Sequence, residues 1–206
     1  MVAEPQPVSI TALLDQLQYR DPLPLRLPPD WIITHERFEE IGRLNPDVLF
    51  ETTADGRLII MPFPDALSER TSSRLHTLVG VWALTAGGDV RGEAGGYYLS
   101  ELERRAPDVS WVAPERVQAR GQLEFAPDLV VEVRSPSQTI ESQTDKMRMW
   151  MSYGVQLGWL VDPYEETVRI FRADGSVELV ERPLELSGED VCAGLTVDMN
   201  QVWQQL

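Results

Sequence analysis

The stretch "PDLVVEVRSPSQTIESQTDK", residues 127–146, decides the fold of this chain. Its apolar, β-branched run predicts a buried strand, yet Glu132 places a carboxylate inside that run. The Ser-Pro pair that follows predicts a helix with Ser135 as its N-cap, continuing to about Tyr153. A strand that carries Glu132 is therefore followed directly by a helix that carries Lys146. Whether the two residues belong to one site depends on the neighbouring strands.

The flanking elements predict a mixed α/β architecture. A helix is expected after Thr34, and a longer one from Asp65 or Ser68 to the Gly87-Gly88 pair. Two hairpins are expected around Asp-Gly turns, and several short strands lie between the helices. The order of helix, strands, helix and strand predicts a mixed β-sheet flanked by helices. The hairpin turns are at 55–56 and 174–175, and the short strands are "DVRGEAGGYYLS", "DVSWV", "DLVVEVR" and "LGWLVD".

Length and composition predict one globular domain behind a short arm. The chain has 206 residues, of which 43% are hydrophobic and 25% charged. Residues 1–30 combine a short helical pattern with a Pro-rich segment and are interpreted as an N-terminal arm, and residues 31–206 as the domain. No apolar run approaches the roughly 18 residues of a membrane helix, and the N-terminus lacks a signal-peptide pattern, so no membrane association and a cytoplasmic location are expected.

Two carboxylates on neighbouring strands predict a metal site. Strand side chains alternate, so Val109 and Trp111 share one face while Asp108 lies on the other. Glu132 alternates in the same way with Val131 and Val133. If the two strands pair with these polar faces together, Asp108 and Glu132 converge on one divalent cation, with their oxygens within about 6 Å of each other. Mg²⁺ or Mn²⁺ is the expected ion, because hard cations take carboxylate oxygens.

A second Pro-Asp pair competes for the first acid position. Asp128 lies four residues before Glu132 on the same strand, roughly 13 Å away, which is too far to share one ion. Asp108 is therefore the preferred candidate. Asp128 is interpreted as a turn residue at the strand entry.

Lys146 is the single lysine among 18 basic residues, the other 17 being arginine. An arginine stays charged, whereas a lysine near carboxylates or a metal can orient or deprotonate a water molecule. The alternative is a surface lysine that pairs with Glu141 or Asp145. The sequence leaves both interpretations open.

The motifs "PDVSWV", "PDLVVEVRSPS", "DKMRMWMSYGVQLGWLVDP" and "TVRIFR" together resemble the Uma2 family of restriction endonucleases, within the PD-(D/E)xK nuclease superfamily. The flanks "RLIIMP" and "GEDVCAGLTVDM" also match, so the resemblance covers roughly residues 30 to 200. It implies a restriction-endonuclease-like core, Mg²⁺ held by acids on adjacent strands, and DNA as the partner.

Carried over by position, the resemblance makes Asp108 the first metal acid and Glu132 the acid of the (D/E)xK element. Arg134 occupies the usual lysine position, where it can hold a phosphate but is a poor base. In this family the lysine is displaced to the following helix, where Lys146 stands. Gln143, nearer the helix start, is a further helper. An acid found in many relatives at the position of Ser142 is missing.

Two functions follow, an enzyme and a scaffold. The first is a metal-dependent endonuclease that hydrolyses DNA phosphodiester bonds with Asp108, Glu132 and Lys146, working as a homodimer if both strands are cut. The second is a catalytically inactive nuclease-fold module for binding or assembly. The net charge of −15 favours the second, since it repels nucleic acid. A local basic rim, predicted from Arg104, Arg105, Arg116 and Arg120, would favour the first.

Overall fold

The computed structural model describes residues 22–25, 27–28, 31–61, 64–119 and 123–203. The helical pattern predicted within the N-terminal arm lies outside these residues, so the arm and its boundary at residue 30 stay predictions. The chain divides into two compact units, Met1–Phe63 with Glu101–Glu103, and Pro64–Ser100 with Arg104–Leu206.

The first unit contains three strands and one helix. Strand β3 (Leu58–Met61) pairs antiparallel with both β1 (Leu23–Pro24) and β2 (Leu49–Thr52). Helix α1 (His35–Leu44) begins after Thr34, whose side chain accepts a hydrogen bond from the Arg37 amide, as an N-cap does. The β2–β3 turn contains Gly56 at φ +74°, which confirms the predicted Asp-Gly hairpin.

The second unit is built on a six-stranded sheet with the order β11-β10-β9-β8-β7-β4. Only β8 and β9 are parallel, and helix α3 is the crossover between them. The mixed sheet flanked by helices is thus confirmed. The elements are α2 (Ala66–Ala86), β4 (Asp89–Gly92), β5 (Tyr97–Tyr98), β6 (Arg104–Arg105), β7 (Val109–Val112), β8 (Leu129–Val133), α3 (Ile140–Ser152), β9 (Leu157–Asp162), β10 (Thr167–Arg172), β11 (Val177–Glu181), β12 (Glu185–Ser187), β13 (Thr196–Asp198) and α4 (Met199–Trp203).

The six-stranded sheet is covered on both faces. On one face, which we call the α2 face, Leu75 and Val79 of α2 pack in a cluster with alternate residues of β8, among them Val131. On the other, the α3 face, Met147 and Trp150 of α3 belong to a second cluster that includes Val130 of β8. Every residue of β8 is consequently buried, which explains its nearly continuous apolar sequence.

Helix α3 starts later than the sequence predicts. Thr139, not Ser135, is the N-cap, and its hydroxyl accepts from the Ser142 amide at 3.1 Å. The Ser-Pro segment forms a separate turn instead, in which the Gln138 side chain accepts from the Ser135 amide at 3.0 Å. Two cap signals four residues apart competed, and the second one begins the helix. The predicted stop is correct, since Gly154 follows the helix at φ +94°.

Helix α2 agrees with its predicted limits. Its N-cap is Asp65, whose carboxylate accepts from the Leu67 amide at 3.0 Å, and Gly87 at φ +83° follows its last residue. None of the described helices is long and apolar enough to cross a membrane.

Candidate active site

Asp108 and Glu132 lie at the same end of two paired strands. The antiparallel register pairs Val109 with Val131 and Ser110 with Val130, so its continuation sets Asp108 opposite Glu132. The Asp108 carboxylate accepts a hydrogen bond from the Val133 amide at 2.6 Å, which fixes it beside the end of β8. The two acids therefore occupy neighbouring positions, and the separation of about 6 Å between their oxygens stays a prediction.

Lys146 pairs with the strand carboxylate. Its Nζ lies 2.9 Å from Glu132 Oε2, and the Lys146 and Glu132 side chains are 16% and 2% exposed. The two alternative partners lie in different surroundings, because Asp145 pairs with Arg148 at the surface and Glu141 is exposed in the first helical turn. The late start of α3 explains the reach, since Lys146 is then only about 9 Å along the helix axis from Ile140.

Trp150 holds the second oxygen of the same carboxylate. Its indole Nε1 donates to Glu132 Oε1 at 2.7 Å, one turn after Lys146 on the buried side of α3. Trp150 is a site residue that the sequence did not predict. A buried carboxylate is costly unless it is paired and hydrogen-bonded, and here the lysine and the indole supply both kinds of partner.

Glu93 is a third acid at this strand end, and the sequence analysis missed it. The β4–β7 register pairs Gly92 with Val109, so Glu93 follows opposite Asp108. Desolvation raises the pKa of Glu93, and the negative charges of Asp108 and Glu69 raise it further. The available signal was a glutamate directly after a strand, in "GEAGG". In the described part of the chain, no three His, Cys, Asp or Glu side chains are arranged as a metal site.

Arg134 forms contacts with the end of β9 and the turn after β8. Its guanidinium forms two hydrogen bonds with Asp162, at 2.6 and 3.0 Å, and a third with the Gln138 carbonyl at 3.2 Å. The guanidinium carbon also lies 4.9 Å from the ring centre of Tyr164. These contacts join the turn after β8 to the end of β9. The Arg134 guanidinium is thus engaged with Asp162, and its role as a phosphate ligand stays a prediction.

The remaining candidate residues lie among contacts within the protein. Gln143 is 5% exposed on the buried side of α3, one turn before Met147. Asp128 accepts from the Ala113 amide at 2.8 Å and pairs with Arg116 at 2.5 Å, which agrees with its interpretation as a strand-entry residue. Arg116 of the predicted basic rim is thereby occupied, and Arg120 lies outside the described residues.

A polar network fixes the start of α2 beside the turns that follow β8 and β9. The Tyr164 hydroxyl and the Ser68 hydroxyl each donate to Asp65 Oδ2 at 2.6 Å, and Ser135 donates to Ser68 at 3.2 Å. Desolvation, followed by the Asp65 carboxylate, raises the pKa of Tyr164, so its hydroxyl stays a donor. The network holds the first turn of α2, which carries Glu69, in a defined position.

A central mixed sheet covered by helices, with acids at one strand end, is a nuclease-like fold. A solved structure with this fold is described as "a putative nuclease belonging to DUF820 from Anabaena variabilis ATCC 29413", with TM-score 0.65 and 20% sequence identity over 74% of this chain and 89% of that one. The Uma2 family model, described as "Putative restriction endonuclease", matches residues 35–200. The chain belongs to the Uma2 family. None of the curated proteins matches it.

Proposed function

We propose that this protein is a metal-dependent endonuclease that hydrolyses DNA phosphodiester bonds. The observation that supports this most is the 2.9 Å contact between Lys146 Nζ and Glu132 Oε2, on the strand whose end also holds the Asp108 carboxylate. A buried carboxylate, a second acid and an ammonium group at one strand end are the groups that metal-assisted hydrolysis requires. The family match supports a nuclease as the protein class.

Asp108 and Glu132 would hold the Mg²⁺ or Mn²⁺ ion. Both are hard oxygen donors on facing strand positions, and magnesium binds through one or two carboxylates while keeping several waters. The absence of a three-ligand cluster among the described side chains is consistent with such a site. When bound, the ion would stabilise negative charge on the phosphate and lower the pKa of a water molecule.

Lys146 would orient the attacking water. Its ammonium is held against Glu132, at the strand end that also carries Asp108. Glu69 and Glu93, which act electrostatically on the same strand end, would add negative charge that favours cation binding. Arg134 and Gln143 have no assigned chemical step in this proposal.

A non-catalytic scaffold is the second candidate, and one observation favours it. Both Glu132 oxygens already accept hydrogen bonds from protein donors, at 2.7 and 2.9 Å. To bind a metal ion, Glu132 would have to give up or share one of these bonds. The net charge of −15 also opposes DNA binding at long range. In this case the Glu132–Lys146 pair would serve only to fix α3 on the sheet.

Plasmid cleavage distinguishes the two candidates. Purified wild type is expected to nick or linearise supercoiled DNA with Mg²⁺ or Mn²⁺ and to be inactive in EDTA. Asp108→Ala should lose this activity, while Asp145→Ala, which removes an exposed acid of α3, should retain it. Lys146→Gln should lower the rate without abolishing metal binding, since the acids hold the ion. Equal activity in wild type and Asp108→Ala would exclude the enzyme proposal.

A homodimer is proposed as the form that cuts duplex DNA. One catalytic centre addresses one strand, so a double-strand break in one event needs two centres related by a two-fold axis. Sedimentation with and without a DNA duplex checks this. A monomer that linearises the plasmid without a nicked intermediate would contradict it.

A further inference from the structure

Helices α2 and α4 line an open cavity that contains none of the acids at the strand end. Its volume is about 350 Å³, within the range of small-ligand sites. The lining residues come from one side of α2 and from α4, and they are Arg70, Ser73, Arg74, Thr77, Leu78 and Gln201. Their spacing of three and four residues along α2 aligns the polar groups on one side of the helix.

The cavity contains an arginine, Arg70, that has no counter-charge among the described residues. Two of the six lining residues are arginines and none is acidic, in a chain with 33 acidic residues. Within the described ranges, the Arg70 guanidinium has no hydrogen-bond or ion-pair partner. Arg74 donates to the Val202 carbonyl at 3.1 Å, which orients it towards α4. Like charges four residues apart destabilise a helix, so an anion between these guanidinium groups would be stabilising.

Seven arginines in the described part of the chain each form an ion pair with a carboxylate within 4 Å. Such ion pairs are seen for Arg57, Arg91, Arg116, Arg134, Arg148, Arg172 and Arg182. Arg70 differs from these although its side chain is half-buried in the cavity wall. Asp198, which precedes α4, accepts hydrogen bonds from Asn200 and Gln201. The cavity therefore offers a place for an external anion.

The donor set favours a phosphate over other anions. Guanidinium groups donate in a planar fork that matches phosphate oxygens, and two of them can bind several oxygens at once. The Ser73 hydroxyl adds a neutral donor, and the Gln201 amide keeps a hydrogen that is not used by Asp198. Thr77 donates to the Ser73 carbonyl at 2.8 Å and so contributes shape rather than a donor.

We propose that the α2–α4 cavity binds a phosphate group. The group comes either from the backbone of a nucleic acid or from a free phosphate ester. The site uses no residue of the acidic cluster, because Glu69 acts on Glu93 while Arg70 lies about 100° further around α2. The phosphate-site proposal can therefore be tested independently of the nuclease proposal.

Thermal melting with inorganic phosphate tests the site, in EDTA and with chloride at equal ionic strength as the reference. At a concentration about ten times its Kd, phosphate should raise the wild-type Tm by about 3 °C over chloride. Arg70→Gln should abolish this rise. Arg43→Gln removes the same charge from an exposed position at the end of α1, and Asp108→Ala changes only the acidic cluster, so both should keep it.

A second measurement identifies the source of the phosphate. In EDTA, a fluorescein-labelled DNA duplex is titrated at several salt concentrations. If the DNA backbone is the ligand, Arg70→Gln should reduce the slope of log K against log salt by about 1, whereas Arg43→Gln should not. Unchanged DNA binding by Arg70→Gln, together with its lost phosphate response, would identify a free phosphate ester. No phosphate effect on wild type, or an equal effect on Arg70→Gln, would overturn the proposal.

Discussion

The two faces of the six-stranded sheet differ in how they are buried. On the α2 face, the strand residues and α2 form an apolar cluster that includes Val131, Trp159 and Cys192. On the α3 face, the buried cluster includes Trp150, whose indole bonds the Glu132 carboxylate that is paired with Lys146. Both clusters are buried, and among the described residues the buried Glu132–Lys146 pair lies on the α3 face. We infer that the α2 face serves stability and that the α3 face gives up stability to hold a chemical group in place.

The largest expected effect is that of breaking the ion pair. Lys146→Ala should lower the free energy of unfolding by about 3 kcal/mol, because Glu132 would stay buried without its counter-charge. The double variant Glu132→Leu/Lys146→Met should recover most of that loss, since it turns the α3 face into a second apolar face. Urea denaturation of the three proteins measures this. Equal stability of wild type and Lys146→Ala would show that the pair is not a buried charge pair.

Two tryptophans provide a matched comparison of the faces. Trp150 and Trp159 are both 0% exposed, but only Trp150 Nε1 donates to a carboxylate. Among the described residues, Trp159 Nε1 has no hydrogen-bond partner. Trp150→Phe should therefore cost about 1.5–3 kcal/mol more than Trp159→Phe, the value of a hydrogen bond to a charged group. Equal losses in chemical denaturation would mean that the indole–Glu132 bond adds nothing to stability.

Divalent metal should stabilise the protein through the α3 face. At about ten times its Kd, Mg²⁺ or Mn²⁺ should raise the Tm by about 3–5 °C, because the folded pair of acids binds it and the unfolded chain does not. Asp108→Ala should remove the shift. Asp145→Ala should preserve it, since that acid is exposed and paired with Arg148. Differential scanning fluorimetry measures these shifts in Tm. A metal-dependent shift of equal size in Asp108→Ala would indicate another metal site.

The smallest effect is expected on the α2 face, at the single cysteine. Cys192 is 0% exposed, and burial, with a minor contribution from Asp128, raises the pKa of its thiol to about 12. Because the pKa is raised, the reactive thiolate is nearly absent at any pH well below 12. A thiol reagent at pH 8 should react only after unfolding. Rapid reaction of the native protein would show that the α2 face opens readily.

Sequence signals within a few residues predicted the helices and turns well. Contacts between residues far apart in sequence were harder to predict. The Asp-Gly turns and the Thr34 and Asp65 caps depend only on a few adjacent residues, and the structure confirms them. The start of α3 was wrong because Ser135 and Thr139 are both good caps, and sequence alone does not rank them.

The site illustrates the same limit. Strand alternation was enough to put Asp108 and Glu132 on one face, but the importance of Glu93 depends on the β4–β7 register. Likewise, the ion pair of Arg134 with Asp162 joins residues 28 positions apart, at the ends of the neighbouring parallel strands β8 and β9. Neither contact leaves a signal within one segment of sequence.

The central claim is that the α3 face keeps Glu132 and Asp108 for a metal ion. Crystals of the wild type soaked in Mn²⁺, with anomalous diffraction recorded above the manganese edge, test it directly. An ion held there should give an anomalous peak bounded by the Asp108 and Glu132 carboxylates, and no such peak is expected for Asp108→Ala. The contrary result is wild-type density in which Glu132 keeps both Lys146 and Trp150 and no manganese peak lies beside either acid. That result would make the ion pair a structural element of a scaffold.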